Sequence, residues 1–540
     1  MQRCHAHETG NLASQVRVPS VEGERRLVPL TPDTRPSRPD ACERGARNPL
    51  LLPALTAGFV LMLAGLVRAQ TFTVLHSFTA GGLDSAGGIT NSDGTLPQAG
   101  LVVSGRTLYG ATESGGANGN GTLFAVNTDG TGFTNLYTFT ETSTNSAGGG
   151  STNIDGASVV AGLFLSGSTL YGTAEYGGRW GNGTVFALNT DGTGFKTLHS
   201  FAAARYDSFG NYVNGEGAYP QAGLILSGNT LYGTANEGGS RGVGTVFAVN
   251  TDGTGFTALH SFTNGVDGAN PVANLIVSGQ TLYGTAANGG SSGAGTVFSI
   301  NTDGTGFTPL YSFSGGNDGA NPSAGLVTSG NTLYGTTHFG GGAGNGTVFA
   351  IKTDGTGFSA LHSFTVPEPD SYGVLTNIDG VYTVAGLLLA GGTLYGTTES
   401  GGSLGYGTVF AVSTNGSGIT ALHDFTGGDD GALLQAPLVL SGNTLYGTAY
   451  SAGKPGNGTV FSISVPGLVS ASPQLTIIPA ASNVLLAWPA DATGFTLQST
   501  TNLAPPAVWT AVSPGPVVVN GQNVVTNAIS GTPQFFRLSQ

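Results

Sequence analysis

The tripeptide Leu-Tyr-Gly recurs seven times along the chain, at intervals of 51, 61 or 62 residues. The tyrosines of the seven copies are Tyr109, Tyr171, Tyr232, Tyr283, Tyr334, Tyr395 and Tyr446. A Gly-Thr-(Val/Leu)-Phe segment follows every copy, and its threonine always lies 13 residues after the tyrosine, at Thr122, Thr184, Thr245, Thr296, Thr347, Thr408 and Thr459. A fixed internal distance in seven copies indicates seven repeats of one supersecondary unit, which we number 1 to 7.

Each unit predicts four short β-strands, which we call a, b, c and d and which Gly, Asn and Asp turns separate. Strand c is apolar on both faces, as in Thr184 to Leu188. A strand that is buried on both sides fits a sheet packed between two neighbouring sheets, as in a propeller blade. The c-to-d turn, as in Asn189 to Phe195, supplies glycine where positive φ is needed, and its Asp191 reads as a turn cap.

The two ends of the repeat region distinguish an open solenoid from a closed ring. The last unit, 437–465, has strands a, b and c but no strand d, whereas residues 71–78 form an isolated strand d before the first unit. Joining the two segments completes one blade and leaves no unpaired edge. We therefore predict an all-β protein in which residues 70–466 form a seven-bladed β-propeller, with the N-terminal strand closing the last blade.

The succession of LYGT, GG, GTVF, NTDGTGF and LHSF motifs resembles the GloVer repeat family, also described as choice-of-anchor tandem-repeat proteins. The resemblance covers about residues 71 to 465, and the unit is also distantly similar to kelch-type and NHL-type blades. It implies an exported, surface-associated bacterial propeller. It implies no activity, no cofactor and no catalytic residues.

Residues 467–540 lack the repeat and contain alternating segments such as Val484 to Trp488 between Pro, Asn and Gly turns. This pattern predicts a small Ig- or fibronectin-like β-sandwich. The segment resembles the terminal domain of exported verrucomicrobial proteins, which implies a sorting or attachment role.

An apolar run from Leu50 to Val67 follows two arginines and ends at Val67-Arg68-Ala69. We interpret residues 48–69 as a signal peptide cleaved after Ala69, which predicts a secreted or cell-surface protein. A retained membrane anchor is the competing interpretation, since the run is barely long enough to span a bilayer. The preceding residues 1–47 are Pro- and Arg-rich and predict a misassigned start or a disordered extension.

Charge and cysteine content exclude several partner classes. Of the 17 Lys and Arg residues, nine lie within the first 69 positions, which leaves eight cations for the rest of the chain. So few cations cannot neutralise a phosphate backbone, and we predict no nucleic-acid partner. Both cysteines, Cys4 and Cys42, lie in the N-terminal extension, so the repeat region has no disulfide framework. We expect a monomer without a membrane span in its mature form and without a cofactor.

An acidic residue lies seven positions before the second residue of the strand-a motif in every unit. The set comprises Asp93, Asp155, Glu216, Asp267, Asp318, Asp379 and Asp430. Two interpretations stand: each carboxylate organises the d-to-a turn by accepting backbone hydrogen bonds, or the seven together form an anionic ring that binds a cation. A feature common to all units favours the first, although Glu216 is a poor turn former.

Departures from the repeat symmetry point to a binding face. The d-to-a loops that precede units 1, 2, 3 and 6 are about ten residues longer than the others and carry Tyr206, Phe209, Tyr212 and Tyr372. The same four units carry a glutamate in the b-to-c loop, at Glu113, Glu175, Glu237 and Glu399. Tyr176, Arg179 and Trp180 occupy one b-to-c loop and Arg241 the next.

Exposed aromatic rings beside carboxylates suit a sugar-binding face, although the rings would equally pack under the long loops. We predict a ligand site in units 1 to 3, with unit 6 standing apart and Tyr450 outside the site. No HExxH, P-loop or Cys-based motif occurs. Recognition of polysaccharide or another surface component is therefore the preferred function. A polysaccharide hydrolase or lyase using Glu113, Glu175 or Glu399, and a purely structural surface protein, are the alternatives.

Overall fold

The computed structural model describes residues 70–83, 89–144, 151–369, 371, 373–465, 475–480, 483–489, 496–502, 509–513, 515–519, 522–528 and 534–539. The N-terminal extension 1–47, the signal-peptide segment 48–69 and Tyr372 lie outside the described residues. The described part of the chain contains β-strands and no α-helix, which confirms the all-β prediction.

The repeat region forms seven four-stranded antiparallel sheets within the described residues. Their strands, in the order a, b, c and d, are Val102–Ser104, Thr107–Thr112, Thr122–Asn127 and Thr134–Thr138 (sheet 1); Phe164–Ser166, Thr169–Ala174, Thr184–Asn189 and Lys196–Ser200 (sheet 2); Ile225–Ser227, Thr230–Ala235, Thr245–Asn250 and Thr257–Ser261 (sheet 3); Ile276–Ser278, Thr281–Ala286, Thr296–Asn301 and Thr308–Ser312 (sheet 4); Val327–Ser329, Thr332–Thr337, Thr347–Lys352 and Ser359–Ser363 (sheet 5); Leu388–Ala390, Thr393–Thr398, Thr408–Ser413 and Thr420–Asp424 (sheet 6); and Val439–Ser441, Thr444–Ala449, Thr459–Ser464 and Phe72–Ser77 (sheet 7).

Sheet 7 is assembled from both ends of the repeat region. Its strand d, Phe72–Ser77, pairs antiparallel with strand c, Thr459–Ser464, in a register that places Phe72 opposite Ile463. This is the pairing that the sequence predicts. Because one sheet contains strands almost four hundred residues apart in sequence, the repeat array has no free outer edge at this point.

The glycine of Leu-Tyr-Gly is required by the packing inside each sheet. In sheet 2, Gly172 lies opposite Phe186 in the b-to-c register. A Cβ at Gly172 would lie 2.5 Å from the Phe186 ring and 2.9 Å from Leu163 Cδ2. The two motifs that define the repeat, Leu-Tyr-Gly and Gly-Thr-Val-Phe, therefore contact each other inside each sheet.

Seven buried clusters join the sheets in a closed succession. Tyr109 and Phe139 of sheet 1 pack with Leu170 and Phe186 of sheet 2, and equivalent clusters join every following pair. The seventh cluster joins sheet 7 back to sheet 1 through residues that include Tyr446 and Val460 on one side and Leu108 and Phe124 on the other. Each sheet is thus buried on both faces, as the apolar strand c requires.

Four of the seven d-to-a connections contain a two-stranded β-hairpin. The hairpins pair Gly82–Leu83 with Ile89–Thr90, Ser143–Thr144 with Ser151–Thr152, Arg205–Tyr206 with Tyr212–Val213, and Glu368–Pro369 with Leu375–Thr376. They lie in the joints between sheets 7 and 1, 1 and 2, 2 and 3, and 5 and 6. The long loops of the sequence therefore lie in these four joints, and each contributes a hairpin there.

The C-terminal region forms two antiparallel sheets around one small core. One sheet has the order Thr476–Ala480, Asn483–Pro489, Gln522–Ala528 and Val517–Val519; the other has the order Thr510–Ala511, Thr496–Thr500 and Phe535–Ser539. Leu486, Trp488, Leu497 and Val525 are buried between them. None of the residues described belongs to a helix with the length and apolar character needed to cross a membrane.

Candidate functional site

Each of the seven acidic residues in the d-to-a segments accepts hydrogen bonds within its own joint. Asp155 is 2% exposed and accepts hydrogen bonds from the Tyr137 hydroxyl at 2.8 Å and the Thr140 N–H at 2.9 Å. In the other joints the strand-d donors are His76, His199, His260, Tyr311, His362 and His423, with distances of 2.8 to 3.2 Å. These carboxylates organise turns, which favours the first of the two interpretations.

In six of the seven joints the same strand-d side chain stacks on a phenylalanine of the next sheet, whereas Ile419 stands at the equivalent position in the joint between sheets 5 and 6. The Tyr137 ring stacks on Phe195 of the following sheet with a centroid distance of 3.9 Å, and His199 stacks on Phe256 at 3.6 Å. We call the acid, its His or Tyr partner and the stacked ring the joint clamp. No group of three or more His, Cys, Asp or Glu side chains suited to a metal ion occurs among the described residues.

A second set of contacts links the sheets where strand b ends. In the joint between sheets 1 and 2, the Ser158 N–H donates to Asn120 O at 3.1 Å, and Ser158 O accepts from the Glu175 N–H at 2.9 Å. Ser158 has a positive φ of 62°, an uncommon conformation for a non-glycine residue. The equivalent positive-φ residues are Leu96, Ser158, Tyr219, Asn270, Asn321, Tyr382 and Leu433.

In each joint, the backbone N–H of one residue donates to the carbonyl of the positive-φ residue, and we call these seven donor residues the entrance ring. The ring comprises Glu113, Glu175, Asn236, Ala287, His338, Glu399 and Tyr450. Three members, Glu113, Glu175 and His338, line a cavity of about 610 Å³ whose walls come from the strand-a segments of all seven sheets. The repeat backbone therefore places seven side chains of differing chemistry at equivalent positions, and three of them line this cavity.

The charge of Glu175 repels two nearby carboxylates, that of Glu113 in the entrance ring and that of Glu237 beside the ring. Burial and the neighbouring Glu175 charge raise the pKa of Glu113, although a hydrogen bond with Tyr450 opposes the shift. Burial and Glu175 likewise raise the pKa of Glu237. Glu175 itself is 7% exposed and accepts a 2.7 Å hydrogen bond from Gln221 Nε2. Carboxylates that repel one another in a partly buried site favour a ligand that supplies hydrogen-bond donors.

Tyr450 lies inside this acidic group, contrary to the expectation that it lies outside the site. Burial, the charge of Glu113 and a hydrogen bond to it, and the charge of Glu399 raise the pKa of Tyr450 to about 12. Glu399 also accepts a 3.0 Å hydrogen bond from Gln435 Nε2. Unit 6 therefore does not stand apart: sheets 6, 7, 1 and 2 contribute one continuous set of polar side chains.

On the other side of Glu399, His338 continues the ring. Burial lowers the pKa of His338, although the charge of Glu399 opposes the shift. The His338 ring stacks on Phe339 at 4.0 Å and meets Tyr382 edge-on at 5.5 Å. An aromatic group thus lies at the entrance beside sheets 5 and 6 as well.

The aromatic side chains predicted for units 2 and 3 occupy two places. Tyr176 is 46% exposed, and its ring meets Tyr219 edge-on at 5.5 Å. Trp180 is 40% exposed, and the Arg179 guanidinium lies 5.0 Å from the centre of its ring. Tyr176 and Tyr219 line a cleft of about 420 Å³ together with Glu113, Asn120 and Ser158. Arg241 is exposed in the next b-to-c loop.

The sequence profile of the Gloeobacter/Verrucomicrobia repeat family matches residues 66–213, 204–374 and 372–472. The chain belongs to this family. The profile covers the whole of the seven-sheet region, so the resemblance drawn from the repeat motifs is confirmed. No functionally curated protein matches the chain in sequence.

Among solved structures, this repeat protein is similar to a puromycin-hydrolysing peptidase of Mycobacterium tuberculosis, with 12% identity, a TM-score of 0.42, and coverage of 77% of this chain and 62% of the peptidase. A gluconolactonase of Xanthomonas campestris matches with 15% identity and a TM-score of 0.31 over 52% of this chain and 79% of the lactonase. TolB of Acinetobacter baumannii matches with 12% identity and a TM-score of 0.30 over 55% of this chain and 58% of TolB. No activity of this chain follows from such similarities.

The sequence reading missed the residues that hold the hairpins in this repeat protein. Asn182 is 1% exposed; its Nδ2 donates to Ala202 O at 2.6 Å, and its Oδ1 accepts from the Tyr212 hydroxyl at 2.7 Å. The equivalent amides of Asn120, Asn345 and Asn457 donate to the first residue of the other three hairpin segments. The sequence does carry a signal for these hairpin contacts. Asparagine stands 11 residues after the Leu-Tyr-Gly tyrosine only in the four units whose strand d precedes a long loop.

Proposed function

We propose that residues 70–466 form a seven-bladed β-propeller that is exported and recognises polysaccharide at the entrance face. One observation carries the proposal: the partly exposed rings of Tyr176 and Tyr219 line one cleft together with the Glu113 carboxylate, and Glu113 also lines the cavity of about 610 Å³. The closed succession of seven sheet-to-sheet clusters supports the seven blades, and the sheet-7 pairing supports closure by the N-terminal strand.

The chemistry of the entrance suits a sugar more than other ligand classes. Tyrosine offers a flat apolar face for the C–H side of a pyranose ring, and carboxylates accept hydrogen bonds from hydroxyl groups. No Lys or Arg lines either cavity within the described part of the chain, which disfavours phosphate and other polyanions.

Export is supported by the apolar segment 48–69 of the sequence and by membership of the repeat family. We further propose that residues 467–540 are an Ig- or fibronectin-like domain that attaches or sorts the propeller, on the basis of its two sheets around a common core. N-terminal sequencing of exported protein should begin at Gln70. Recovery of the intact chain in the membrane fraction would support a retained anchor instead.

A glycan array tests the recognition proposal directly. We expect binding to at least one polysaccharide class, and loss of that binding when Tyr176 and Trp180 are both replaced by alanine. If no glycan binds and the purified chain self-assembles, the protein is a structural surface component and the proposal fails.

A polysaccharide hydrolase or lyase is the second candidate, favoured by the raised pKa of Glu113 beside the Tyr450 hydroxyl. A raised carboxyl pKa favours the protonated form, which is the form that a general acid requires. Incubation with the best-bound polymer should release no reducing ends or unsaturated products if the protein only binds. Product formation that Glu113→Gln abolishes would establish the enzyme in place of the binding protein.

A further inference from the structure

Four tyrosines form a continuous row from the hairpin between sheets 2 and 3 to the entrance ring. Tyr206 and Tyr212 face each other across the hairpin, with centroids 5.2 Å apart. Tyr212 stacks on Tyr219 at 5.9 Å, and Tyr219 meets Tyr176 at 5.5 Å. Tyr176 directly follows Glu175 of the entrance ring in the chain. Each ring thus contacts the next, and the last adjoins the acidic group.

The row is fixed by hydrogen bonds on both sides. In the hairpin tip, Asp207 Oδ1 accepts from the Phe209 N–H at 2.8 Å and the Asn211 N–H at 2.9 Å. Tyr212 is held by Asn182, and the Tyr219 N–H donates to Asn182 O at 3.0 Å. A binding surface that is ordered before the ligand arrives loses less conformational entropy on binding.

The outer half of the row is open to solvent although it is rigid. Tyr206 is 74% exposed, and Phe209 beside it is 84% exposed. Rings of this size usually contribute buried area, so an ordered hairpin that presents two of them outward indicates a contact surface. The surface runs along a line of rings, which fits an extended chain better than a single sugar.

We propose that Tyr206, Tyr212, Tyr219 and Tyr176, with Glu175 at the inner end, form an extended track for a linear, uncharged polysaccharide chain. This inference rests on the proposed function and adds the ligand's class and path. Two observations select an uncharged chain. The cleft that contains Tyr176 and Tyr219 is otherwise lined by hydroxyl, amide and carboxylate groups, and Glu113, Glu175 and Glu237 would repel uronic acids.

The test measures affinity against chain length by calorimetry. The probes are cello-, manno-, xylo- and malto-oligosaccharides from disaccharide to hexasaccharide, with oligogalacturonate as the anionic contrast. For the neutral series that binds, affinity should rise with length. Tyr206→Ala should weaken the longest oligomer about tenfold and leave the disaccharide unchanged, because Tyr206 lies at the outer end of the row. Tyr219→Asn should weaken all lengths.

Tyr382→Asn is the matched control, because Tyr382 has the same positive φ and aromatic neighbours of its own in the joint between sheets 5 and 6. Asparagine stands at this position in two other joints, at Asn270 and Asn321, so neither variant should unfold. Equal losses in the Tyr219 and Tyr382 variants, no dependence on length, or equal binding of oligogalacturonate would overturn the track. Binding of oligogalacturonate alone would also overturn the track, whereas binding of none of the probes, neutral or anionic, by the unaltered protein would overturn the proposed function itself.

Discussion

The seven joints between sheets fall into two classes, and all seven pair an acid with a strand-d His or Tyr. Joints with a hairpin, such as that between sheets 2 and 3, and plain joints, such as that between sheets 3 and 4, both pair a strand-d histidine with a carboxylate: His199 with Glu216 in the first and His260 with Asp267 in the second. Both histidines stack on a phenylalanine of the next sheet. The hairpin is therefore added to the clamp and does not replace it.

Two further differences accompany the hairpin. Asn182 tethers the hairpin segment in its joint, whereas Val243 stands at the equivalent position before the plain joint. A second asparagine, Asn214, donates to Ala202 O at 3.1 Å, whereas Gly265 stands at its equivalent in the plain joint. The unit after each hairpin joint also carries one of the four b-to-c glutamates. The repeat thus separates the groups that hold the sheets together from the groups that vary at the entrance.

The largest expected effect comes from removing a clamp carboxylate. Asp155→Ala leaves the Tyr137 hydroxyl and the Thr140 N–H without their buried acceptor and should lower the free energy of unfolding by about 2 to 3 kcal/mol. Denaturant unfolding measures the change. Asp191→Ala is the control, since Asp191 also accepts from a backbone N–H and a threonine hydroxyl but is exposed. If both variants lost the same stability, the clamp would be no more than an ordinary turn.

Removing a hairpin tether should have a smaller and more local effect. Asn182→Ala should lower the free energy of unfolding by about 1 kcal/mol, because Tyr212 and Ala202 lose a buried partner. Hydrogen exchange should accelerate in residues 205–213 and stay unchanged in the strands of sheet 2. Ala294→Asn, which adds the amide before a plain joint, should not stabilise the protein. A gain in that variant would show that asparagine is favoured there without any hairpin.

The histidines of the two classes of joint should respond alike to acid. Burial lowers the pKa of His199 and of His260 below 6.5, against the opposing effect of their carboxylate partners. The unfolded chain then binds protons that the folded chain does not, so this stability is present above pH 6.5 and is lost as the pH falls through the folded-state pKa.

Tyrosine stands at this position in Tyr137 and Tyr311, so replacement of either histidine by tyrosine should remove that histidine's share of the loss in acid. Thermal melts between neutral pH and mild acid measure it. The clamp acids Asp93 and Asp379 have lowered pKa values, so their contribution is lost only below pH 3.8. If only the His199 variant lost less stability in acid than the parent protein, and the His260 variant did not, the hairpin would be shown to alter the clamp.

The repeat geometry was open to prediction, and the asymmetric contacts were not. A constant spacing reports contacts that every unit makes, such as Gly172 against Phe186, because the two motifs occur together seven times. The Tyr450 hydroxyl and the Glu113 carboxylate lie in different units, so no sequence interval marks their electrostatic interaction. The tyrosine row likewise depends on the hairpin's own register, which opposes Tyr206 to Tyr212. Long-range pairing of unlike side chains leaves no periodic trace.

The smallest expected effect on the free energy of unfolding comes from Glu113, a glutamate of the entrance ring in a unit that follows a hairpin joint. Because the pKa of Glu113 is raised in the folded protein, the folded chain binds the proton more tightly than the unfolded chain, and ionised Glu113 costs stability above the folded-state pKa. Glu113→Gln should therefore raise the free energy of unfolding at neutral pH, by a few tenths of a kcal/mol because partial exposure screens the charge. The gain should vanish near pH 4, where Glu113 is protonated.

Glu141→Gln, at an exposed glutamate in the loop between sheets 1 and 2, should gain nothing at either pH. Loss of stability in the Glu113 variant at neutral pH would place this glutamate among the structural carboxylates and remove the distinction between entrance and clamp.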